Sequence, residues 1–292
     1  MKIENEKLKK DKPILVFQTD FTYKEGAVCA MYGVVKSVDR ELEIIDGTHE
    51  IPQYDIWSAS YRLYQYMQFW PEGTIFVSVV DPGVGTTRRA CVAKSVNGYY
   101  IVTPDNGTLT HIKRQYGITA VRVIDESVNR LRGKGTEGVS VFHGRYLFAY
   151  CAARLASGII TYEQVGDVYP TDEIVTYEVP EPASNDHGIS GVFEISDPNF
   201  GNMWTNIPLE LFLGSGFSYG DMPKVTVCHN SGVVYEGRVL FERSFGFANK
   251  GDIIIYNNEL SRISMAVCQG NLAARLGLGC GADWSVTFEK NG

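Results

Sequence analysis

Apolar residues follow two rhythms along this chain. From residue 13 to about 165, short unbroken apolar runs alternate with stretches whose apolar residues recur at helical spacing. The runs "PILVFQTD" (13–20), "LEIID" (42–46), "GTIFVSVVD" (73–81) and "TAVRVID" (119–125) are bounded by Pro, Gly or Asp. Such runs predict strands buried on both faces. Between them, "KEGAVCAMYGVVKSV" sets Ala27, Met31, Val34, Val35 and Val38 on one helical face, and "YDIWSASYRLYQYMQF" (54–69) and "HGRYLFAYCAARLAS" (143–157) read the same way. "RRACVAKSVNGYYIVTPDNG" reads as two strands joined by Asn97-Gly98, a dipeptide suited to a type I′ turn. The alternation predicts an N-terminal α/β domain with a mostly parallel central sheet.

Past residue 165 the rhythm shortens. "VPEPASNDHG" (179–188) has the composition of a linker. After it come alternating segments such as "GISGVFEIS", "KVTVCHN", "GVVYEGRVLFE", "GDIIIY", "RISMAVC" and "DWSVTFE". They predict a smaller C-terminal all-β, barrel-like domain. The expected organisation is a tail at 1–12, an α/β domain at 13–180 and a β-barrel domain at 188–292.

Composition narrows the function. A formal net charge of -7 offers no basic patch for a nucleic-acid partner. The six cysteines are scattered among apolar neighbours with no C-x-x-C pair, which suits core positions in a reducing compartment rather than zinc or redox sites. "MKIENEKLKKDK" is charged and precedes no apolar stretch long enough for a signal peptide or a membrane span, so a cytoplasmic location is expected.

Asp20, Asp81 and Asp105 each follow an apolar strand directly or through a turn. In open α/β sheets ligands bind beyond the carboxyl ends of strands, where these carboxylates would converge. Turn or capping roles are the plainer alternative for each. Around "DPGVGTTRR", Gly83 and Gly85 permit positive φ and close backbone approach, and Asp81 with Arg88 would otherwise be an exposed ion pair worth roughly 0–1 kcal/mol. The glycines form neither a dinucleotide fingerprint nor a P-loop. His143 sits at a strand-to-helix junction; His49, His111, His187 and His229 have no metal-ligand spacing.

"TDF" after the first strand, "VVDPGVGTTRR", "TPDNG", "FHGR" and "SDPNFGNMWTNI" occur in the order seen in the S-adenosyl-methionine hydrolases, or hydroxide adenosyltransferases. The chain resembles that family, relatives of the fluorinases and chlorinases, from about residue 13 to 285. The resemblance implies a trimer whose active sites lie between the N-terminal domain of one subunit and the C-terminal domain of the next. It implies a catalytic set of Asp81, Arg88 and His143. Asp20 would accept from the ribose hydroxyls, and Tyr54 would pack on the substrate. Asn106 of "TPDNG" joins the implied substrate-binding residues. Asp197, Phe200, Asn202 and Trp204 would hold the methionine ammonium and the adenine. S-adenosyl-methionine is then the substrate and adenosine a product, with no cofactor and no metal.

The implied chemistry is intelligible from residue types. Methionine is a good leaving group from a sulfonium, so the missing component is a nucleophile. Bringing the pKa of water from about 15.7 to about 7 is worth roughly 12 kcal/mol. A permanently charged Arg88 would stabilise hydroxide in a dry site, with Asp81 and His143 receiving or orienting its protons. Where halogenases carry an aromatic residue this chain has Asp81, and where the fluorinase has a halide-binding serine it has Gly144. Both favour water over halide. The D-x-x-F-G-N spacing from Asp197 leans the other way, and Glu25 and Glu259 also depart from relatives. Halide transfer is therefore the nearest alternative. A metal-dependent phosphoesterase built on Asp20, Asp81 and Asp105, or a non-catalytic adenosine or S-adenosyl-methionine binder, are the others.

Overall fold

A computed structural model describes residues 12–133 and 141–290; the expected tail at 1–12 lies outside these apart from Lys12. The chain divides between Tyr177 and Glu178 into two compact units. The first contains β1 (Leu15–Thr19), α1 (Ala27–Val38), β2 (Ile44–Thr48), α2 (Ile56–Met67), β3 (Ile75–Val79), β4 (Ala90–Ser95), β5 (Tyr100–Pro104), α3 (Thr110–Gln115), β6 (Ile118–Val123), α4 (Glu126–Asn129), α5 (Tyr150–Ala156) and β7 (Val168–Tyr169). Its sheet runs β2-β1-β3-β5-β4-β6-β7. The β2, β1, β3 and β5 strands are parallel, and the remaining pairs are antiparallel.

Every residue of β1 and β3 is buried. The reason is that both faces are covered. On one face Leu15, Phe17, Val77 and Val79 meet Met31 and Val35 of α1, Leu147 and Phe148 of the segment entering α5, and Cys151 of α5. On the other, the Gln18 amide donates to Ala59 O of α2 and to Ser78 Oγ, both at 2.9 Å. The Asp55 carboxylate caps α2 by accepting from Ser58 N–H at 2.9 Å.

Two local expectations are corrected. The β4–β5 hairpin does not use a type I′ turn, which needs positive φ at both central residues. Only Gly98 has it (φ 80°), and Gly98 N–H donates to Ser95 O at 3.1 Å, as in a three-residue loop ending on a left-handed glycine. The helix expected at 143–157 opens with a π-turn over Gly144–Ala149 before becoming α5.

The second unit contains β8 (Ala183–Asn185), β9 (Gly188–Ser196), β10 (Met203–Pro208), α6 (Leu209–Gly214), β11 (Lys224–His229), β12 (Gly232–Arg238), β13 (Leu240–Phe241), β14 (Ile253–Asn257), β15 (Arg262–Val267), α7 (Leu272–Leu276) and β16 (Trp284–Glu289). Its strands follow the order β12-β11-β16-β9-β10-β15-β14-β13, with β8 added beside β9. The segment 232–241 supplies both ends of this path, pairing with β11 through β12 and with β14 through β13, so the sheet nearly closes. Phe212 lies inside, stacked on Phe217 at 4.3 Å and edge-on to Phe241 and Phe288. The stretch read as a linker belongs to this unit. Asn185 Oδ1 accepts from His187 and Gly188 N–H, turning the chain into a β8–β9 hairpin.

Candidate active site

The register pairs Thr19 of β1 with Val79 of β3 at their adjacent carboxyl ends. Asp20 and Asp81 therefore leave the sheet side by side, and both line a cavity of about 490 Å³ with Phe21, Glu25, Tyr54, Phe142, His143 and Gly144. This is the crevice that parallel strands create beyond their carboxyl ends.

The glycine loop after β3 closes on itself. Val84 N–H donates to Asp81 O at 3.2 Å and Thr86 N–H to Gly83 O at 3.1 Å, while Gly85 has φ 78°. A Cβ on Gly83 would come within 3.2 Å of Arg88 Cγ. The two turns fold Arg88 back so that its Nε is 3.0 Å from each Asp81 oxygen, and its Nη2 also donates to Asp81 Oδ2. The same Nη2 donates to His143 Nδ1 at 2.9 Å. Arg88 and Asp81 side chains are only 10% and 6% exposed, so solvent screens this pair little. Arg88 stands behind the cavity wall, joined to two side chains that face the cavity. Burial, and then the Arg88 charge, hold His143 below the usual histidine pKa, so the imidazole is neutral at pH 7.

Asp20 Oδ2 accepts from Tyr54 N–H at 2.9 Å, and the carboxylate lines the cavity. Burial raises its pKa, the Tyr54 N–H pulls it back, and the like charge of Asp81 adds to the rise. Tyr54 and Phe142 have φ of 66° and 61°. Positive φ is a strained state for an aromatic residue and is stored where surrounding structure enforces it. Tyr54 is 62% exposed and lines the cavity.

Behind the Asp20 loop sits a polar network that runs from the buried Thr19 and His49 out to exposed Asp46 and Tyr23. Phe21 N–H donates to Thr19 Oγ1, which meets His49 Nδ1 at 2.8 Å. His49 Nε2 reaches Tyr32 Oη at 3.0 Å and Asp46 Oδ1 at 3.1 Å, and Tyr23 and Tyr32 both donate to Asp46. His111 is likewise buried, against Ser60 Oγ, and burial drops its pKa to about 3. Neither setting is legible in histidine spacing.

Asp105 does not join the crevice. Its carboxylate accepts from Arg89 Nε at 2.9 Å, Tyr169 Oη at 3.0 Å and Val175 N–H at 2.9 Å. This removes the three-carboxylate geometry that a phosphoesterase reading needs. Among the described residues no group of three or more His, Cys, Asp or Glu side chains is placed to hold a metal ion. Asn106 is not on the cavity either. Its amide donates to Val80 O at 2.9 Å and accepts from Thr108 Oγ1 at 2.8 Å, organising the loop.

The second unit has its own hollow, of about 1050 Å³, lined by Asp197, Phe200, Asn202, Trp204, Phe245, Tyr256, Glu259 and Asn271 among others. Asp197 Oδ1 accepts from Asn199 and Phe200 N–H at 3.0 and 3.3 Å, and Gly201 closes the turn at φ 66°. Phe200 is thereby held 65% exposed. The buried Trp204 indole N–H makes no hydrogen bond of good geometry, although it sits near the Tyr256 hydroxyl. Burial pushes that tyrosine up to about 12. The four residues expected here from "SDPNFGNMWTNI" thus share one hollow, while Phe245, Tyr256 and Asn271 come from distant segments. In the first hollow Phe21 and Phe142 have no sequence signal beyond their places in "TDF" and "FHGR".

An α/β unit with carboxylate, guanidinium and imidazole in mutual contact beside a cavity, joined in sequence to a barrel unit with a hollow of its own, has the kind of grouping that enzyme sites for small molecules use. The family model for the SAM hydroxide adenosyltransferase N-terminal domain matches residues 15–166, and that for the C-terminal domain matches 193–285. The chain belongs to this family of S-adenosyl-methionine-processing adenosyltransferases. An (R)-S-adenosyl-L-methionine hydrolase of Methanocaldococcus jannaschii is 30% identical over 84% of this chain and 85% of its own length. A hydrolase of the same description from Salinispora tropica is 30% identical over 94% and 98%. A fluorinase from Actinopolyspora mzabensis is 26% identical over 94% and 97%. Among solved structures, an uncharacterized conserved protein from Thermotoga maritima superposes with a TM-score of 0.85 at 31% identity, covering 95% of this chain and all of that one. Among the described residues no helix is long and apolar enough to cross a membrane.

Proposed function

We propose that the protein hydrolyses S-adenosyl-methionine to adenosine and L-methionine by attack of water or hydroxide on the ribose C5′. The observation that carries this reading is Arg88, held between Asp81 and His143 at the wall that also presents Asp20. The Asp81 carboxylate orients the water and accepts its proton as the oxygen–C5′ bond forms. The C5′–sulfur bond breaks with its electron pair going to methionine, and the sulfonium charge disappears. The fixed Arg88 charge stabilises hydroxide character on the oxygen without reorganising. Asp20 binds the ribose hydroxyls as an acceptor. Two carboxylates on one wall favour a cationic sulfonium and oppose an incoming halide. Gly144 supports the same preference. A Cβ there would lie 3.1 Å from the Phe21 ring and 3.4 Å from Phe142, so a serine, as in the halide site of the fluorinase, needs the Phe21 ring to give by a few tenths of an ångström.

Incubation of purified protein with S-adenosyl-methionine is expected to yield adenosine and methionine in equal amounts, in chloride or fluoride as in their absence. A 5′-halo-5′-deoxyadenosine as main product would replace hydrolysis by halide transfer. Tight binding without turnover would reduce the protein to a sensor.

The hollow of the second unit is proposed to hold the adenine and the methionine end, through Asn202, Phe200, Trp204 and Asp197. Following the family resemblance, the protein is proposed to be a trimer in which each site draws on two subunits. Mixing an Arg88→Ala chain with an Asn202→Ala chain, each inactive alone, should then restore part of the activity in mixed trimers. Absence of rescue in demonstrably mixed oligomers would confine the site to one subunit.

A further inference from the structure

His143 is approached by guanidinium groups from two sides. Arg88 Nη2 lies 2.9 Å from Nδ1, and Arg130 Nη1 lies 3.3 Å from Nε2. A neutral imidazole has one accepting and one donating nitrogen. Only one of the two guanidinium groups can donate to a neutral ring, and the shorter contact assigns that role to Arg88 at Nδ1. Nε2 then carries the hydrogen, and Arg130 at 3.3 Å acts on the ring through its charge and not as a hydrogen-bond donor.

Arg130 is held in that place. Its Nη1 donates to Glu126 Oε2 at 2.6 Å, one turn back, and its side chain is mostly buried. The next residue, Leu131, donates its N–H to Tyr146 O of the π-turn at 2.8 Å, which anchors the segment beside His143. The charged groups bearing on the ring are thus Asp81 and Arg88 from the glycine loop, and Glu126 and Arg130 from α4 and its continuation. Arg145, on the ring's own segment, is turned over the Phe142 and Tyr146 rings instead.

We propose that the Glu126–Arg130 pair is a positioning device that sets the proton affinity of His143, with Arg130 opposing protonation and Glu126 favouring it. The pair acts through His143 and does not touch the reacting atoms. Arg130 helps keep Nδ1 an acceptor for Arg88, so that Arg88 stays oriented and the proton released by water leaves through Asp81, while Glu126 holds Arg130 in place and offsets its charge at the ring. Protonation of His143 would turn Nδ1 into a donor facing a donor and break the Arg88–His143 bond. Burial already disfavours a charged ring, and the two cations add to that while the two carboxylates oppose it. The charges of the pair have opposite signs, so the two single substitutions must act in opposite directions. A purely structural role would not do this.

The inference rests on Asp81, Arg88 and His143 being the reaction site, and its test separates the two claims. The ring signals of isotope-labelled histidine are followed by NMR against pH in the full chain without substrate, with His143 assigned by its loss in His143→Asn. Arg130→Gln should raise the His143 titration midpoint, and Glu126→Gln should lower it, each by about half a pH unit or more, since charges this close shift neighbours by that order. Glu126 is partly exposed, so its variant is expected to fold even if Arg130→Gln does not. Midpoints that stay put, or that move the same way in both variants, overturn the inference. In turnover assays the acid limb of kcat should follow the midpoint in each variant. A uniform loss of rate with an unmoved limb also overturns it. Should wild-type protein cleave no S-adenosyl-methionine, the reaction reading falls while the midpoints still decide the electrostatic claim.

Discussion

Replacing Arg88 by alanine is expected to lower turnover of S-adenosyl-methionine by about a thousandfold while leaving substrate affinity within a few-fold. Loss of a single preorganised group that stabilises developing negative charge costs about 10²–10³ in kcat. Here the same change also frees Asp81 and His143 from a shared partner. Arg88 stands behind the wall, so the ground state loses little contact. Single-turnover rates paired with equilibrium binding would resolve the two effects, and unchanged chemistry would remove Arg88 from the mechanism. Stability must be measured alongside, because breaking a buried pair by removing one partner costs about 3–5 kcal/mol. Arg88→Lys is the informative companion. It keeps the charge but cannot serve two Asp81 oxygens and the imidazole at once, so it should recover stability better than rate.

Asp20→Ala should instead weaken binding by at least about a hundredfold and leave the chemical step of bound substrate nearly intact. Hydrogen bonds to a charged acceptor are worth about 1.5–3 kcal/mol each, and two ribose hydroxyls are at stake. Alanine also abandons Tyr54 N–H, which Asp20 accepts at 2.9 Å, and so loosens a backbone held at φ 66°. Asp20→Asn separates the roles. An amide oxygen can still accept from Tyr54, but the amide nitrogen cannot accept from a hydroxyl. Loss of binding in both variants places the effect on the ribose; loss in the alanine variant alone places it on Tyr54. The pH dependence has a definite sign. Burial first, with Asp81 adding to it, raises the Asp20 pKa in the fold. The ionised side chain therefore costs stability above that pKa, and the cost vanishes as pH falls through it. Asp20→Asn should be no less stable than the parent at neutral pH, while wild-type binding should fall on the acid side earlier than an ordinary carboxylate would dictate.

Much of this architecture is legible in the residues. Runs such as "PILVFQTD" mark strands covered on both faces, and strand–helix alternation specifies the parallel half of the first sheet. The rest depends on relations that spacing does not encode. Nothing local distinguishes Asp20 and Asp81 from Asp105, since all three follow apolar runs. The difference arises because Arg89, Tyr169 and Val175 converge on Asp105 from other elements. The Asn97-Gly98 pair indicates a turn but not its type, which is set by the loop length the two strands leave. The stretch "SDPNFGNMWTNI" carries a site motif but no strand signal of its own, and the strand character of β10 comes from pairing with β9 and β15. Arg130 and Glu126 carry no motif at all. Their setting beside His143 comes from the docking of Leu131 on a π-turn.

The order of strands in the second unit bears on how it is made. β9, which opens the unit's main sheet, pairs through Gly188–Val192 with β16, joining Gly188 to Glu289, and β16 also pairs with β11. A ribosome emitting this chain therefore exposes β9 and β11 long before the strand that belongs between them. The growing polypeptide must shield two unpaired edges until residues 284–289 emerge. A premature stop just ahead of Trp284 would not trim a border. It would leave a gap in the middle of the sheet, and the expected product is an aggregation-prone fragment with an intact first unit.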